Sequence, residues 1–182
     1  MSGNPQLEGA DRGRLEILRY PDPHLRAEAV AIETVDDDVR ALVDRMLELM
    51  FASRGVGLAG PQVGVPLRLF VASPTFQRDD RRVYINPRII AAEGSQDGEE
   101  GCLSFPGISC RIRRHRTATI RALDRDGQPF EQTGDDLLAR IFQHETDHLD
   151  GRLLVDRMGS LARMTHRAAL KELEAAYETA PR

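Results

Sequence analysis

The sequence predicts an α+β fold: a single domain in which mixed or antiparallel strands pack around a central helix, with an N-terminal helix and a C-terminal helix. Two observations indicate this class. Apolar residues recur with helical spacing towards both ends of the chain, and short apolar or alternating segments bounded by turn signals lie between them. The 182 residues, 41% of them hydrophobic, are enough to bury one good core.

The first element is a helix predicted over residues 36–54. Asp36, Asp37 and Asp38 supply its N-terminal cap, and Gly55 offers an end. One face of this helix should pack on the core, because its apolar positions follow helical spacing: Val39, Leu42, Val43, Met46, Leu47 and Met50. Residues 1–14 are polar and irregular, so we expect a disordered N-terminal segment ahead of a catalytic domain over residues 15–182.

Strands are predicted in the middle of the chain. Residues 67–72 and 82–86 form two of them, separated by a polar loop and closed by Pro87. Residues 117–123 alternate, and the turn signal Asp126-Gly127 allows residues 128–132 to return as a hairpin partner. A last helical stretch over residues 155–176 carries apolar positions among many charges, and these are Leu161, Met164, Ala168 and Ala175.

Composition excludes several classes of function. A net charge of -4 gives no general reason to expect binding to DNA. The N-terminus has no export signal, no apolar run is long enough for a membrane, and two cysteines do not make a disulfide framework. We therefore expect a cytoplasmic protein with free thiols and no membrane partner. The sequence does not decide the oligomeric state, for which a monomer is favoured.

The central helix is predicted over residues 137–149. One stripe holds Leu137, Ile141, His144 and His148, and the buried side is widened by Leu138, Phe142 and Leu149. Asp135 or Asp136 can cap the start of this helix, and Gly151 offers a stop.

His144 and His148 are four residues apart with Glu145 between them, so both imidazoles can converge on one metal ion. This pattern is typical of metal-dependent hydrolases, in which the glutamate takes a proton from the attacking water and returns it to the leaving group. The alternative is a pair of core histidines satisfied by hydrogen bonds, but two inward imidazoles beside an inward acid would be costly to bury without a ligand.

A third metal ligand is expected from Glu99-Glu100-Gly101-Cys102-Leu103-Ser104, where Cys102 is the candidate. One thiolate and two imidazoles leave a fourth position open for water, as in catalytic sites, although a single cysteine is more often a small core residue. Cys110 is predicted to be an ordinary free cysteine.

The glycine-rich segment 55–64 lacks the ending of a phosphate-binding loop. Its glycines would allow a substrate backbone to approach closely, and Gln62 offers an amide donor to an oxyanion. The alternative is a plain turn after the first helix.

Three segments in this order resemble the signature motifs of peptide deformylase: GVGLAGPQ at 55–62, EGCLS at 100–104 and QHETDHLDG at 143–151. The resemblance runs from the segment that starts at Leu15 to the C-terminal helix, with Gly60 standing where alanine is common. It implies a cytoplasmic bacterial hydrolase that removes the N-formyl group from the initiator methionine of nascent polypeptides and releases formate.

The same resemblance implies residue roles. Cys102, His144 and His148 would be the metal ligands, and Glu145 would be the general acid and base. Gln62 and the backbone N–H of Leu103 would be oxyanion donors, and the residues around the substrate would be Val56, Gly57, Gly101 and Ile141. The family generally uses Fe(II), and Zn(II) or Ni(II) often occupies such a site after purification. Whether Arg111 or Arg113 also binds the peptide backbone is left open.

The partner implied by the resemblance is an N-formylmethionyl nascent peptide. In some family members the C-terminal helix docks on the ribosome, and here Arg163, Arg167 and Lys171 recur at four-residue spacing, although nearby glutamates favour a solvated face. The alternatives are a deformylase with a narrower substrate, a zinc peptidase that uses His166 or Glu172 in place of Cys102, and a non-catalytic family member.

Overall fold

The structure is a computed structural model that describes residues 5–7, 13 and 15–179. Its helices and strands, in chain order, are α1 (Asp37–Ala52), β1 (Gly57–Ala59), β2 (Leu69–Ala72), β3 (Arg82–Glu93), β4 (Gln96–Gly101), β5 (Ser109–Arg114), β6 (Thr117–Leu123), β7 (Pro129–Asp135), α2 (Asp136–Leu149), α3 (Leu154–Arg157), α4 (Ser160–Thr165) and α5 (Arg167–Thr179). Short 3-10 turns lie at Pro5–Leu7, Pro23–Arg26, Gly60–Val63 and Arg78–Asp80.

The main sheet is antiparallel, with the strand order β1-β2-β3-β6-β7, and it lies between α1 and α2. The buried strand β2 shows how the sheet separates two cores. Leu69 and Val71 point into the cluster formed with α1, whereas Phe70 and Ala72 point into the cluster formed with α2. The predicted α+β class with a central helix is therefore confirmed.

A separate hairpin, β4-β5, carries the segment that contains Cys102. Cys110 and Ile112 of β5 are buried in a third cluster with Phe105 and with Leu170 of α5. This cluster joins the hairpin to the C-terminal helices. Across the described part of the chain, no helix is both long enough and apolar enough to cross a membrane.

Both long helices begin where the sequence predicts. The Asp36 carboxylate accepts the Val39 N–H at 3.0 Å and caps α1, as predicted, and α1 ends slightly early at Ala52. Gly151, with a φ of +68°, follows the end of α2. Leu137 is an exception to the predicted buried stripe, because it lies in the first turn of α2 and is 46% exposed.

Two predicted elements differ from the structure in their extent. The strand predicted over 82–86 does not close at Pro87 but runs on to Glu93, because a register shift between Ile85 and Arg88, with Asn86 at a φ of +52°, takes the proline out of the regular ladder. The helix predicted over 155–176 is broken into α3, α4 and α5.

The break before α4 falls at Gly159, whose backbone is extended. Leu161 and Met164 are consequently 73% and 69% exposed, and Leu170 is the residue of α5 that enters the core. Most of the segment 1–14, predicted to be disordered, lies outside the described residues. Within it, Pro5–Leu7 forms a 3-10 turn and the Leu7 side chain is buried.

Candidate metal centre and active-site cleft

The helix α2 and the hairpin β4-β5 bring three predicted ligands together. The donor atoms of Cys102, His144 and His148 all lie within 4.8 Å of one another. Cys102 Sγ is 3.2 Å from His148 Nε2, and the two imidazole rings are 5.0 Å apart between centroids. The Phe105 N–H donates to the Cys102 carbonyl at 2.9 Å, and this turn fixes the thiol after the end of β4. Two distant segments thus form one ligand set.

The electrostatics of this set favour a cation. Burial alone lowers the pKa of His144, but its hydrogen bonds to Cys102 and Glu100 outweigh burial and hold the pKa well above its ordinary value. Burial and the neighbouring His144 keep the pKa of His148 well below its ordinary value, so this imidazole stays neutral. The surroundings of His144 thus stabilise a positive charge, and a thiol and a neutral imidazole lie beside it. This combination suits a divalent transition metal.

Glu100 orients one of the imidazoles. Its Oε2 lies 3.0 Å from His144 Nδ1, which leaves Nε2 of that ring able to bind a metal. The carboxylate is buried, and burial would raise its pKa, but His144 and Arg114 hold the pKa well below its ordinary value. Arg114 donates to both of its oxygens at 2.9 and 3.0 Å, and Arg140 donates to Oε1 at 2.6 Å.

This ion-pair network continues behind α2. Arg114 also donates to Asp147 Oδ2 at 2.6 Å, and Arg157 donates to the same oxygen at 2.9 Å. Asp147 lies on α2 between Glu145 and His148, so the network holds the turn of the helix that carries these two side chains. Buried charges with several partners of this kind are costly to break singly.

Glu145 is buried next to the ligands and is 4% exposed. Its Oε2 has no hydrogen-bond partner among the described residues, and burial raises the pKa of this carboxyl to about 7. Gly57 makes room for the side chain, since a Cβ at that position would lie 2.3 Å from Glu145 Oε1. A carboxyl with an unused oxygen and such a pKa can take and return a proton near neutral pH.

Gln62 is held with its amide nitrogen towards the centre. The Ala59 N–H donates to its Oε1 at 2.8 Å, and Nε2 lies 3.5 Å from Cys102 Sγ and 3.2 Å from Ser104 Oγ. The Leu103 N–H has no acceptor within the described part of the chain. Both groups are therefore donors beside the metal centre.

A cleft of about 1370 Å³ opens over the centre. Every residue predicted to act in catalysis or substrate binding lines it, together with two of the three predicted ligands: Gln62, Leu103, Glu145, Val56, Gly57, Gly101, Ile141, Cys102 and His144. Arg111 and Arg113 do not line it, and Arg113 instead donates to Ser95 Oγ at 2.8 Å.

Other predicted ligands and thiols lie elsewhere. Among the described residues, Cys102, His144 and His148 form the one cluster of donor atoms close enough for a metal, and neither His166 nor Glu172 belongs to it. The ligand set of the zinc-peptidase alternative is therefore not formed. Cys110 is a buried free cysteine of β5, as predicted, and burial raises the pKa of its thiol.

Four residues of this network were not predicted from the sequence, and they are Glu100, Arg114, Arg140 and Asp147. Glu100 directly precedes Gly101-Cys102, and Asp147 lies inside the His-x-x-x-His segment, so both could have been suspected from position. The arginines gave no such signal, because Arg114 lies in a strand that was not predicted and Arg140 lies outside the three motifs.

Comparison with known proteins agrees with this geometry. Residues 14–164 match the family model for polypeptide deformylase. A peptide deformylase from Azotobacter vinelandii is 48% identical over 159 residues, which is 87% of this chain and 95% of that protein. A peptide deformylase from Pseudomonas aeruginosa is 44% identical over 87% of this chain and 95% of its own length.

Solved structures give the same result. A peptide deformylase from Legionella pneumophila superposes with a TM-score of 0.84 at 42% identity, covering 92% of this chain and 99% of that one. A plant peptide deformylase, PDF1B, superposes with a TM-score of 0.87 at 40% identity, covering 91% of each chain. The three motifs, the ligand cluster and these likenesses together show that the chain belongs to the polypeptide deformylase family.

Proposed function

We propose that this chain removes the N-formyl group from the N-terminal methionine of newly made polypeptides in the bacterial cytoplasm and releases formate. The observation that carries the proposal is the convergence, in one cleft, of a Cys-His-His donor set, a buried carboxyl with an unpaired oxygen, and two N–H donors, the Gln62 amide and the Leu103 backbone. Membership of the polypeptide deformylase family supports the same reaction.

We assign Cys102, His144 and His148 as the ligands of one divalent metal ion per chain. One soft thiolate with two imidazoles can hold Fe(II), which we propose as the cellular metal, and Zn(II) or Ni(II) can occupy the site in purified protein. When bound, such a metal polarises the formyl carbonyl and lowers the pKa of the attacking water.

The protein's own groups supply proton transfer. Glu145 Oε2, buried and without a partner among the described residues, would take a proton from the attacking water. The same oxygen would return that proton to the methionine nitrogen as its bond to the formyl carbon breaks. The products are formate and a peptide with a free N-terminal amine.

Two donors would stabilise the oxyanion that forms on the formyl oxygen. Gln62 Nε2 is aimed by the hydrogen bond at its other end, and the Leu103 N–H follows the ligand Cys102 directly. Each oxyanion donor of this kind is typically worth about 3 kcal/mol in the transition state. Val56, Gly57, Gly101 and Ile141 would surround the substrate backbone and the methionine side chain.

Contact with the ribosome through the C-terminal helices stays a prediction. Arg167 and Lys171 are exposed on α5, but Arg163 lies on the separate helix α4 and donates to the Val155 carbonyl at 2.6 Å. The predicted basic stripe is therefore not continuous. The favoured monomeric state and the absence of DNA and membrane partners likewise stay predictions.

The experiment is formate release by protein purified without oxygen, with its metal quantified. The substrates are a formylmethionyl peptide and the same peptide without the formyl group. We expect formate from the first substrate and no cleavage of the second. A metal-loaded protein that cuts internal peptide bonds would contradict the proposal, and one that releases formate from other formylated compounds but not from this peptide would point to a narrower substrate.

A further inference from the structure

One wall of the active-site cleft lies beyond the residues that match the family model. The match ends at residue 164, whereas α5 covers Arg167–Thr179. Leu173, Ala176 and Tyr177 of α5 nevertheless line the same cleft as Glu145. Their i, i+3, i+4 spacing places all three on one face of the helix. We refer to these three residues as the α5 wall.

The helix is attached to the segment that follows Cys102. Leu170, three residues before Leu173, is buried in one cluster with Phe105. Tyr20 donates its hydroxyl to Glu174 Oε1 at 2.9 Å, and its ring stacks on Phe105 with 4.9 Å between centroids. These contacts hold the α5 wall against the turn that carries the metal-binding thiol.

The size of the cleft leaves room for more than a formylated methionine. Pockets for small ligands are typically about 300–1000 Å³, and this cleft is about 1370 Å³. The side chains of Leu173 and Tyr177 are half-buried, so both offer apolar surface to an occupant. The Tyr177 hydroxyl makes no hydrogen bond within residues 15–179 and can donate to a peptide carbonyl.

We infer that the α5 wall binds the residues that follow the formylated methionine, so that α5 contributes recognition of the peptide beyond its first residues. This inference rests on the proposed function. The class of ligand is an extended, formylated polypeptide with apolar side chains after its second residue. A substrate that ends earlier would react without contact with the wall.

The test compares kcat/KM for a formylated dipeptide, formyl-Met-Ala, with that for a formylated tetrapeptide, formyl-Met-Ala-Leu-Phe. Leu173→Ala and Tyr177→Ala should lower kcat/KM for the tetrapeptide about fivefold to tenfold, chiefly through KM, because apolar contact is lost. Both variants should stay within about twofold of the wild type on the dipeptide. Glu178→Ala, an exposed neighbour on α5 outside the cleft lining, should change neither value.

Ala176→Trp is a second variant for which folding is not at risk, because Ala176 is exposed. The indole would fill space in front of the wall and should lower the tetrapeptide-to-dipeptide ratio of kcat/KM. An unchanged ratio in this variant and in the two alanine variants, or equal losses on both peptides, would overturn the inference while leaving the proposed function intact. Wild-type protein that released formate from neither peptide would contradict the proposed function itself, and the inference with it.

Discussion

The two walls of the cleft are built in different ways. On the side of α2, His148 and Glu145 are almost fully buried, and Glu100 is held by Arg114 and Arg140. On the side of α5, the lining side chains are half-buried or exposed, and the helix is attached through Leu170 and the Tyr20–Glu174 hydrogen bond. The first wall is fixed by buried charges with several partners, whereas the second is held by fewer contacts, and we expect it to tolerate substitution without loss of the chemistry.

Among substitutions that test the difference between the two walls, Cys102→Ala should have the largest effect on metal content and activity. Without the thiolate, two imidazoles remain, and metal content should fall from about one ion per chain to background, together with activity. Metal analysis by mass spectrometry checks this. Cys110→Ala is the matched control, because Cys110 is a buried cysteine of β5 that does not belong to the cluster of donor atoms, and it should keep its metal. Metal retained by Cys102→Ala would show that the thiol is not a ligand.

Gly57→Ala should lower kcat about 100-fold while leaving the metal in place, because its Cβ would displace Glu145 from a position only 2.3 Å away. Steady-state kinetics with metal analysis test this. Gly159→Ala is the control, since a Cβ there meets nothing within 4 Å and should leave kcat unchanged. Normal kcat in Gly57→Ala would mean that the position of Glu145 is not critical.

Glu100→Gln tests the network that holds the α2 wall. The neutral side chain leaves Arg140 buried without its anion and Arg114 with Asp147 alone, so the free energy of unfolding should fall by about 3–5 kcal/mol. Metal affinity should fall about 10- to 100-fold, because His144 loses the partner that orients it. Denaturant titration and chelator competition measure these quantities. Asp97→Asn, on the exposed part of the same strand, should alter neither; equal effects in both variants would contradict a specific role for Glu100.

The smallest effect is expected for Tyr20→Phe on the α5 wall. Loss of the hydrogen bond to Glu174 should cost about 0.5–1.5 kcal/mol in the free energy of unfolding, with metal content unchanged. A double-mutant cycle with Glu174→Ala isolates the pair, since the two substitutions should not be additive. Additive effects would show that the Tyr20–Glu174 hydrogen bond contributes nothing, and loss of metal in Tyr20→Phe would show that the two walls are not independent.

The same contrast explains what could be predicted from the sequence. The α2 wall depends on a local pattern, because His144, Glu145 and His148 lie within one helical turn, and Cys102 and Gln62 lie in short segments with unusual glycines. Helix α1 and the hairpin of β6 and β7 were predicted for the same reason, since their periodicity and their cap or turn are local.

What the sequence did not predict depends on contacts between distant segments. Strand β5 buries every second side chain, and Arg114 is one of the buried ones. A buried arginine at this position is understandable only once its partners Glu100 and Asp147, from other segments, are known. The continuation of β3 past Pro87 depends on a bulge held by its neighbours. The contribution of the α5 wall to the cleft could not be predicted either, because helical spacing alone does not show which face of α5 lines the cleft.

We propose that Glu145 moves the proton in a deformylation at the Cys102, His144 and His148 centre. The most direct measurement is formate released per metal ion from a formylmethionyl peptide, in the wild type and in Glu145→Gln. We expect equal metal content in the two proteins and a kcat lower by about 10²- to 10⁴-fold in the variant. A metal-loaded Glu145→Gln that releases formate at close to the wild-type rate would contradict this proposal.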